Sequence, residues 1–409
     1  MSIDQARRHR AELTNLDFIA VTGSCGKTTT KDLIAHVLAS RYRGAKSTGS
    51  CNCGDDLAAD MLAVEAKDKF FVQELGAWGP GTIDQGIDLV RPDIAVVTNL
   101  RNDHYSSFRG PLGAQAEKGK LVASLSATGT AVLNWDDGLV RHLADRTSAR
   151  VFPVGRSGEA ELRAIDVISR WPQRLTFNVV YGQQRAHVRT RLIGEHLLGS
   201  ALAALAVGLV LGLPLPQAVA ALETAEPTPR RMSAETHPDG VIFIRDDFKA
   251  PADSLPEVLR FMRNATASRK IGVFGRISDF PGRSRPTYSD AARNAIAALD
   301  TSVFVGERAA DLWGSHGETA ADQRQLRQQL GLGAEIAGGT MCVFGNVEQA
   351  ADYLSGYVKP GDLVLLKGSG PTDHLERILL SRQRPVSCWL AHCGRINGCD
   401  DCELLTSSR

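Results

Sequence analysis

An α/β fold of two domains is what this sequence predicts, on three observations. Short apolar runs rich in Val, Ile and Phe alternate with longer helical patterns on both sides of residue 226, and such runs read as parallel strands buried on both faces. An apolar run, a Gly-bearing loop and a helical pattern follow one another between Phe18 and Ser40, an arrangement in which backbone N–H groups at a helix N-terminus receive an anion. The 409 residues, 43% of them hydrophobic, exceed what one compact core organises. The expectation is a central parallel-sheet domain opening on a phosphate-binding loop (a P-loop), a second, Rossmann-like α/β domain, and a short cysteine-rich stretch. The expected boundaries are 1–16, 17–226, 227–385 and 386–409.

In the first domain the strands are expected at Phe18–Thr22, Phe70–Leu75, Ile94–Asn99 and Thr130–Asn134, with helices at Thr29–Ser40 and Pro111–Leu125. From Glu161 to Arg191 apolar and polar residues alternate, the pattern of antiparallel strands with one wet face. Leu197–Leu222 carries no charge and is long enough to span a bilayer. It is built mostly of Ala and Gly, however, and Pro214 and Pro216 divide it, so it reads as a buried helix followed by a shorter one. Glu226–Arg231 (EPTPRR) is the linker candidate. Beyond it strands are expected at Val241–Arg245, Lys270–Phe274, Ser302–Val305, Met341–Phe344 and Leu363–Leu366.

Lys and Arg number 47 against 46 Asp and Glu, a formal charge of +1. That balance supplies no global field for nucleic acid or an anionic membrane, so an anionic ligand must be met locally. Met1–Arg10 is polar and basic with no apolar stretch, which argues against a secretory signal and for the cytoplasm.

The local site is the segment Val21–Thr30 (VTGSCGKTTT). Gly23, Ser24, Cys25, Gly26, Lys27, Thr28 and Thr29 would form a nucleotide cradle, with Lys27 at the β- and γ-phosphates and the Thr28 hydroxyl on Mg²⁺. Val21 stands where the usual spacing asks for a glycine.

This variant of the loop resembles that of the Mur ligases, ATP-dependent amide ligases of peptidoglycan assembly. The likeness continues in the order and spacing of the family's MurF branch through Gln73–Gly76, Gly81–Ile83, Arg91–Leu100, Asp103, His104, Phe108, Glu117–Gly119 and Asn134–Asp137. It goes on through Gly194–His196, Arg230, Arg231, Asp246–Ser254 and Leu366–Ser369, covering about residues 17–380. The resemblance implies ATP and Mg²⁺ as cofactors, and a carboxylic acid joined to an amino-acid or peptide amine through an acyl phosphate. It implies Glu74, His104 and a carbamylated Lys118 as Mg²⁺ ligands beside Thr28. Nucleotide contacts are implied at Asn99, His196 and Asp246, a γ-phosphate contact at Arg231, and amine binding near Lys367–Ser369. On composition alone Glu74, His104, Lys118, Arg231 and Asp246 read equally well as surface groups, and Gly275–Arg283 is either a carboxylate-recognising loop or an ordinary one.

Two departures bear on the substrate. The P-loop begins within about 25 residues of Met1, so the expectation is that the domain which grips the UDP-sugar in true Mur ligases is absent. The family's Asp-x-Tyr-Asn-Ala-Asn-Pro reads Asp246–Ala252 (DDFKAPA), and Ser200 stands where an Asn is expected. Two other readings therefore stay open: a poly-amino-acid or natural-product ligase with a non-UDP substrate, and a non-catalytic ATP-binding regulatory subunit.

Four of the eight cysteines, Cys388, Cys393, Cys399 and Cys402, are spaced C-x4-C-x5-C-x2-C around His392 and two glycines. Four soft ligands with tight turns suit one tetrahedral Zn²⁺ in a closed, structural site, with an Fe–S cluster as second choice. The expected role is to tie down this stretch or to form a docking knob for a protein partner.

Overall fold

The computed structural model describes residues 2–50, 52, 54–314, 316–332, 338–391, 393 and 398–406; His392 of the expected cysteine site lies outside them. Two compact units divide the chain: Met1–Ser169 with Gln173–Thr228, and Arg170–Pro172 with Pro229–Arg409.

In the first unit nine strands run β1 (Asp17–Thr22), β2 (Gly44–Lys46), β3 (Phe70–Glu74), β4 (Ile94–Val97), β5 (Thr130–Asn134), β6 (Arg150–Gly155), β7 (Leu162–Ile168), β8 (Thr176–Tyr181) and β9 (Gln184–Arg189). They form one sheet in the order β2-β3-β1-β4-β5-β6-β7-β8-β9. Pairing is parallel from β2 to β7 and antiparallel across β7, β8 and β9. The chemistry of the strands explains the split: β3 and β4 are buried at every position, whereas β7 alternates along part of its length. Because β1 lies between β3 and β4, with Val21 level with Glu74 and with Val96, the segments leaving all three strands emerge at one edge. That C-terminal edge is where an open α/β sheet presents ligands.

The helix Ile3–Glu12 adds Ala6 to the core of this sheet and Leu13 follows it there. The uncharged stretch forms two helices, Leu198–Val210 and Leu215–Thr224, the first buried from Ser200 through Gly208. It packs on Lys27–Ala39, where a Cβ on Gly208 would meet Val37 at 3.1 Å. None of the described helices is long and apolar enough to cross a membrane.

In the second unit the strands are β10 (Ser233–Thr236), β11 (Ile242–Asp246), β12 (Lys270–Phe274), β13 (Thr301–Val305), β14 (Thr340–Phe344) and β15 (Leu363–Lys367). Their order is β10-β11-β15-β12-β13-β14, parallel except for β10 on β11. Asp246 and Phe274 both sit level with Lys367, so β11, β15 and β12 end together. The helix Leu255–Asn264 is typical of the covering layer, turning Leu255, Val258, Leu259, Phe261 and Met262 inward. Residues after Gln383 build a small satellite core in which Leu380, Cys399 and Leu405 are buried and Val386 and Cys402 pack against them.

Differences from the expected elements have local causes. The P-loop helix begins at Lys27, not Thr29, because Gly26 takes a φ of +80° and turns the chain directly into the helix. β4 stops at Val97 because Thr98 and Asn99 direct their side chains to the P-loop. β2 and β10 escaped notice because they are short and only partly buried, with no apolar pattern to betray them.

Candidate active site

The P-loop is shaped by Thr98 and Asn99, which follow β4. Ser24 donates its backbone N–H to the Asn99 carbonyl at 2.8 Å, and Cys25 donates its own to Asn99 Oδ1 at 2.9 Å. Asn99 Nδ2 and Thr98 Oγ1 both donate to the Cys25 carbonyl, at 3.1 and 2.6 Å. Asn99, implied as a nucleotide ligand, thus brackets the loop backbone. Gly23 has a φ of +143°, and a Cβ there would lie 2.0 Å from Thr98 Oγ1. Gly23→Ala is therefore expected to weaken ATP binding about ten- to a hundredfold, from about 1–3 kcal/mol of strain, in a fluorescent-nucleotide titration. Lys27 folds back with Nζ on the Gly23 carbonyl at 2.9 Å, across the mouth of the loop. Gly26 provides no side-chain cap, so the helix start keeps the polarity that attracts phosphate.

Glu74, at the end of β3, is 2% exposed. Thr28 Oγ1 donates to its Oε2 at 2.7 Å and Asn52 Nδ2 to its Oε1 at 2.9 Å, while its backbone N–H donates to Ser47 Oγ at 3.1 Å. A hydroxyl and a carboxylate oxygen this close at a P-loop lip form a hard, oxygen-only donor pair, which fits Mg²⁺. Sequence reasoning missed Ser47, Asn52 and Lys31. Lys31 is buried in the P-loop helix and donates to the Ser47 and Gly49 carbonyls at 2.8 and 2.5 Å, fixing the strand-to-loop turn that carries Asn52. Burial pushes its amine below the usual lysine range, with Asp32 and Glu74 opposing.

Lys118 is fully buried on the helix Pro111–Ala123, its Nζ 2.6 Å from Asp103 Oδ2 and 3.4 Å from Ser24 Oγ. The solvated lysine that composition suggested is thus an interior group beside the P-loop. Its neighbour Glu117 accepts the N–H groups of Gly81 and Ile83, both at 2.9 Å, which ties that motif to the same helix. His104 is 42% exposed, takes a φ of +46° and has Nε2 3.6 Å from Asp103 Oδ1. β3 and β4 flank β1 and do not neighbour each other, so Glu74 and the His104 loop stand on opposite sides of the P-loop strand.

His196 lies in the short turn Glu195–Leu197, its ring against Gly194, where a Cβ would meet Cε1 at 2.4 Å. Ser200 does not reach outward as an asparagine would; its hydroxyl accepts from Thr30 Oγ1 at 2.9 Å and joins this segment to the P-loop helix.

In the second unit Asp246 accepts from Lys367 Nζ at 2.7 Å, and the same amine donates to the Lys249 carbonyl at 3.0 Å. The two linker arginines separate: Arg230 is buried, with a φ of +63°, whereas Arg231 stacks over the Phe248 ring at 4.1 Å. Asp373 accepts the N–H groups of Ser369 and Arg276 at 2.7 and 2.8 Å, holding the loops after β15 and β12. Burial pushes its carboxyl up to about 7 against those two bonds. A raised acid favours the folded state below its unfolded pKa and loses that benefit as pH climbs through the folded value. The melting temperature is expected to fall from about pH 5 to about pH 8, with Asp373→Asn flattening the slope in thermal scans.

Residues 21–208 match the Mur ligase middle domain and residues 230–370 the Mur ligase, glutamate ligase domain. A UDP-N-acetylmuramoyl-tripeptide–D-alanyl-D-alanine ligase of Mycobacterium tuberculosis is 30% identical over 373 residues, covering 87% of this chain and 70% of the relative. A UDP-N-acetylmuramoyl-L-alanyl-D-glutamate–2,6-diaminopimelate ligase of Geobacillus thermodenitrificans is 26% identical over 381 residues, 87% of this chain and 74% of that one. Among solved structures, MurF of Acinetobacter baumannii shares the fold with a TM-score of 0.79 at 24% identity, covering 93% of this chain and 79% of that one. MurF of Thermotoga maritima in complex with ADP gives 0.76 at 20% identity, covering 94% and 85%. With its P-loop, its buried Thr28–Glu74 pair and both of these domains in order, the chain belongs to the Mur ligase family of ATP-dependent amide ligases.

Proposed function

We propose that the chain adds an amino-acid or peptide amine to a peptide-like carboxylic acid, in the manner that the names of its relatives describe for tripeptide and dipeptide substrates. The carboxylate oxygen attacks the γ-phosphorus of ATP and ADP leaves; the neutral amine then attacks the acyl carbon, the C–O bond to the phosphorus-bearing oxygen breaks, and phosphate leaves with the amine's proton. ATP with Mg²⁺ supplies the phosphoryl group and the charge neutralisation that lets two anions meet. Thr28 and Glu74 would hold one ion, while His104 and Lys118, the latter as its carbamate, would serve a second. To Arg231 and Asp246 this reading gives the γ-phosphate and ribose contacts the family implies, and to Lys367–Ser369 a place near the amine. The four cysteines expected to hold a structural Zn²⁺ line one small cavity, but among the described residues no three of their sulfurs come within 4.8 Å of one another, so this reading adds no zinc to the cofactor set. The cysteine stretch is read as fastening to its own unit and not as a docking knob, because Asp400 is paired with the buried Arg245 there.

The observation that carries the reading is Lys118, an interior amine 2.6 Å from Asp103 and beside the P-loop serine. A module that only bound ATP would need the loop, but not a buried Lys–Asp pair and a buried carboxylate on either side of it. The test is a coupled assay of ADP release with UDP-N-acetylmuramoyl-tripeptide or a free tripeptide as acid and D-alanyl-D-alanine or single amino acids as amine. Release that requires both partners supports the ligase, and the preferred acid separates a UDP-linked from a free substrate. ADP release indifferent to acid and amine would favour the regulatory subunit.

A further inference from the structure

Lys31 is an interior cation that no step of the proposed chemistry uses. It stands in the P-loop helix one turn beyond Lys27 and Thr28, 1% exposed. An ammonium has three donors and no acceptor, and here two of the three meet main-chain carbonyls, those of Ser47 at 2.8 Å and Gly49 at 2.5 Å. Asp32 lies 3.7 Å from the same nitrogen. Burying an amine is costly, so a lysine is kept in such a place only where the groups it joins must stay joined.

The groups it joins are the P-loop helix and the turn that leaves β2. A second fastening of that turn is Thr48, whose N–H donates to Asp60 Oδ1 at 3.0 Å. Two side chains reach from the turn to Glu74. Ser47 Oγ accepts the Glu74 N–H at 3.1 Å, and Asn52 Nδ2 donates to Oε1 at 2.9 Å, leaving Oε2 to the Thr28 hydroxyl at 2.7 Å. The Asn52 amide is also wedged from its far side, since a Cβ on Gly76 would lie 2.2 Å from its Oδ1. Both oxygens of the buried carboxylate are thus held, one from the P-loop helix and one from the turn that Lys31 ties to it. Mg²⁺ demands near-ideal octahedral geometry, so a carboxylate that rotates about its stem binds it poorly.

We propose that Lys31 and Asn52 are positioning residues for the metal-bound nucleotide: the amine sets the turn, the turn sets the Asn52 amide, and the amide sets the Glu74 carboxylate for the ion at Thr28. The inference rests on the placing of Mg²⁺ in the proposed function and on nothing in the acid or amine chemistry. Its sign is opposite to that of simple electrostatics. A cation that interacts with Glu74 opposes a second cation there, so deleting the amine would by charge alone tighten the metal. A weakened metal in Lys31→Met therefore reports lost orientation.

The experiment measures binding of Mn²⁺, a paramagnetic stand-in for Mg²⁺, to the full chain with a non-hydrolysable ATP analogue, by electron paramagnetic resonance without acid or amine. Lys31→Met and Asn52→Ala are each expected to weaken the ion about 10- to 100-fold, the usual effect of removing a partner behind a metal ligand. Gly76→Ala should weaken it too, by displacing the Asn52 amide. Lys31→Met combined with Asn52→Ala should be little worse than either alone, because both act through one carboxylate. Affinity for a fluorescent nucleotide without divalent ion should stay close to wild type in all of them. Asn52→Ala and Gly76→Ala remove no buried charge, so they carry the test where Lys31→Met fails to fold. Mn²⁺ affinity unchanged in those two variants, or tightened in folded Lys31→Met, while Glu74→Gln loses the ion, would overturn the relay and leave the ion's place standing. A Glu74→Gln variant that binds Mn²⁺ like wild type would remove the ion from Glu74, and the relay with it.

Discussion

Lys118→Ala is expected to lower kcat by about a thousandfold or more while leaving the affinity for ATP within a few-fold of wild type. The reasoning starts from burial. An amine with no exposed surface, 2.6 Å from Asp103, is placed by tertiary packing and not by solvation. In the proposed reading it carries CO₂ and presents oxygens to Mg²⁺, so its loss removes charge stabilisation where charge develops, worth several kcal/mol or about 10³-fold in rate. The nucleotide itself is gripped by Gly23 to Thr29, which the substitution does not touch. Steady-state kinetics with and without formate or acetate separate the possibilities: partial rescue by a short carboxylate is expected. Full activity in the alanine variant, or complete loss with no rescue, would remove the carbamate from the account. Lys118→Arg, which keeps the cation but takes up no CO₂, should behave like alanine.

The second large effect is on stability. Glu376 has no exposed surface, yet it is held ionised. Burial alone would raise its carboxyl, but His374, the Arg230 guanidinium and the Cys399 N–H outweigh it and hold the group down at about 2. Glu376→Ala removes one of the two carboxylates that answer the buried Arg230 and leaves it with Asp247, and breaking a buried pair costs up to about 3–5 kcal/mol. Urea unfolding of the full chain, followed by tryptophan fluorescence, should show the loss in the second unit's transition, with Glu376→Gln intermediate because the amide keeps the backbone bond. The sign with pH is the reverse of that at Asp373. A depressed acid contributes stability above its unfolded pKa and forfeits it as pH falls through the folded value, so the wild-type advantage over Glu376→Ala should shrink from about pH 5 to about pH 2. An advantage constant over that range would mean that the charge on Glu376 is not what holds Arg230.

The P-loop, the strands that flank it and the change to antiparallel pairing after Glu161 were legible in the sequence for one reason. Each depends on spacing within a few residues: glycine at positive φ, hydroxyls at a helix start, a period of two in a half-buried strand. The strand Lys270–Phe274 was read residue for residue because Lys270 opens it and the buried run Ile271–Phe274 stops at Gly275. β10, by contrast, has no such pattern, and its pairing to β11 is seen only in three dimensions.

What only the tertiary structure decided is which distant residues meet. Asn52 and Ser47 complete the setting of Glu74 because β2 pairs with β3 and brings that loop to the end of the strand. Asp103 claims Lys118 from a neighbouring loop. Arg230 and Arg231 are identical in sequence terms, but the fold buries the first in a carboxylate network and leaves the second stacked on Phe248. Asp400 answers Arg245 across 155 residues of chain. Local spacing determines backbone conformation because steric and hydrogen-bonding rules act between neighbours in sequence. A partner for a buried charge is selected by strand order and packing, which no short window of residues contains.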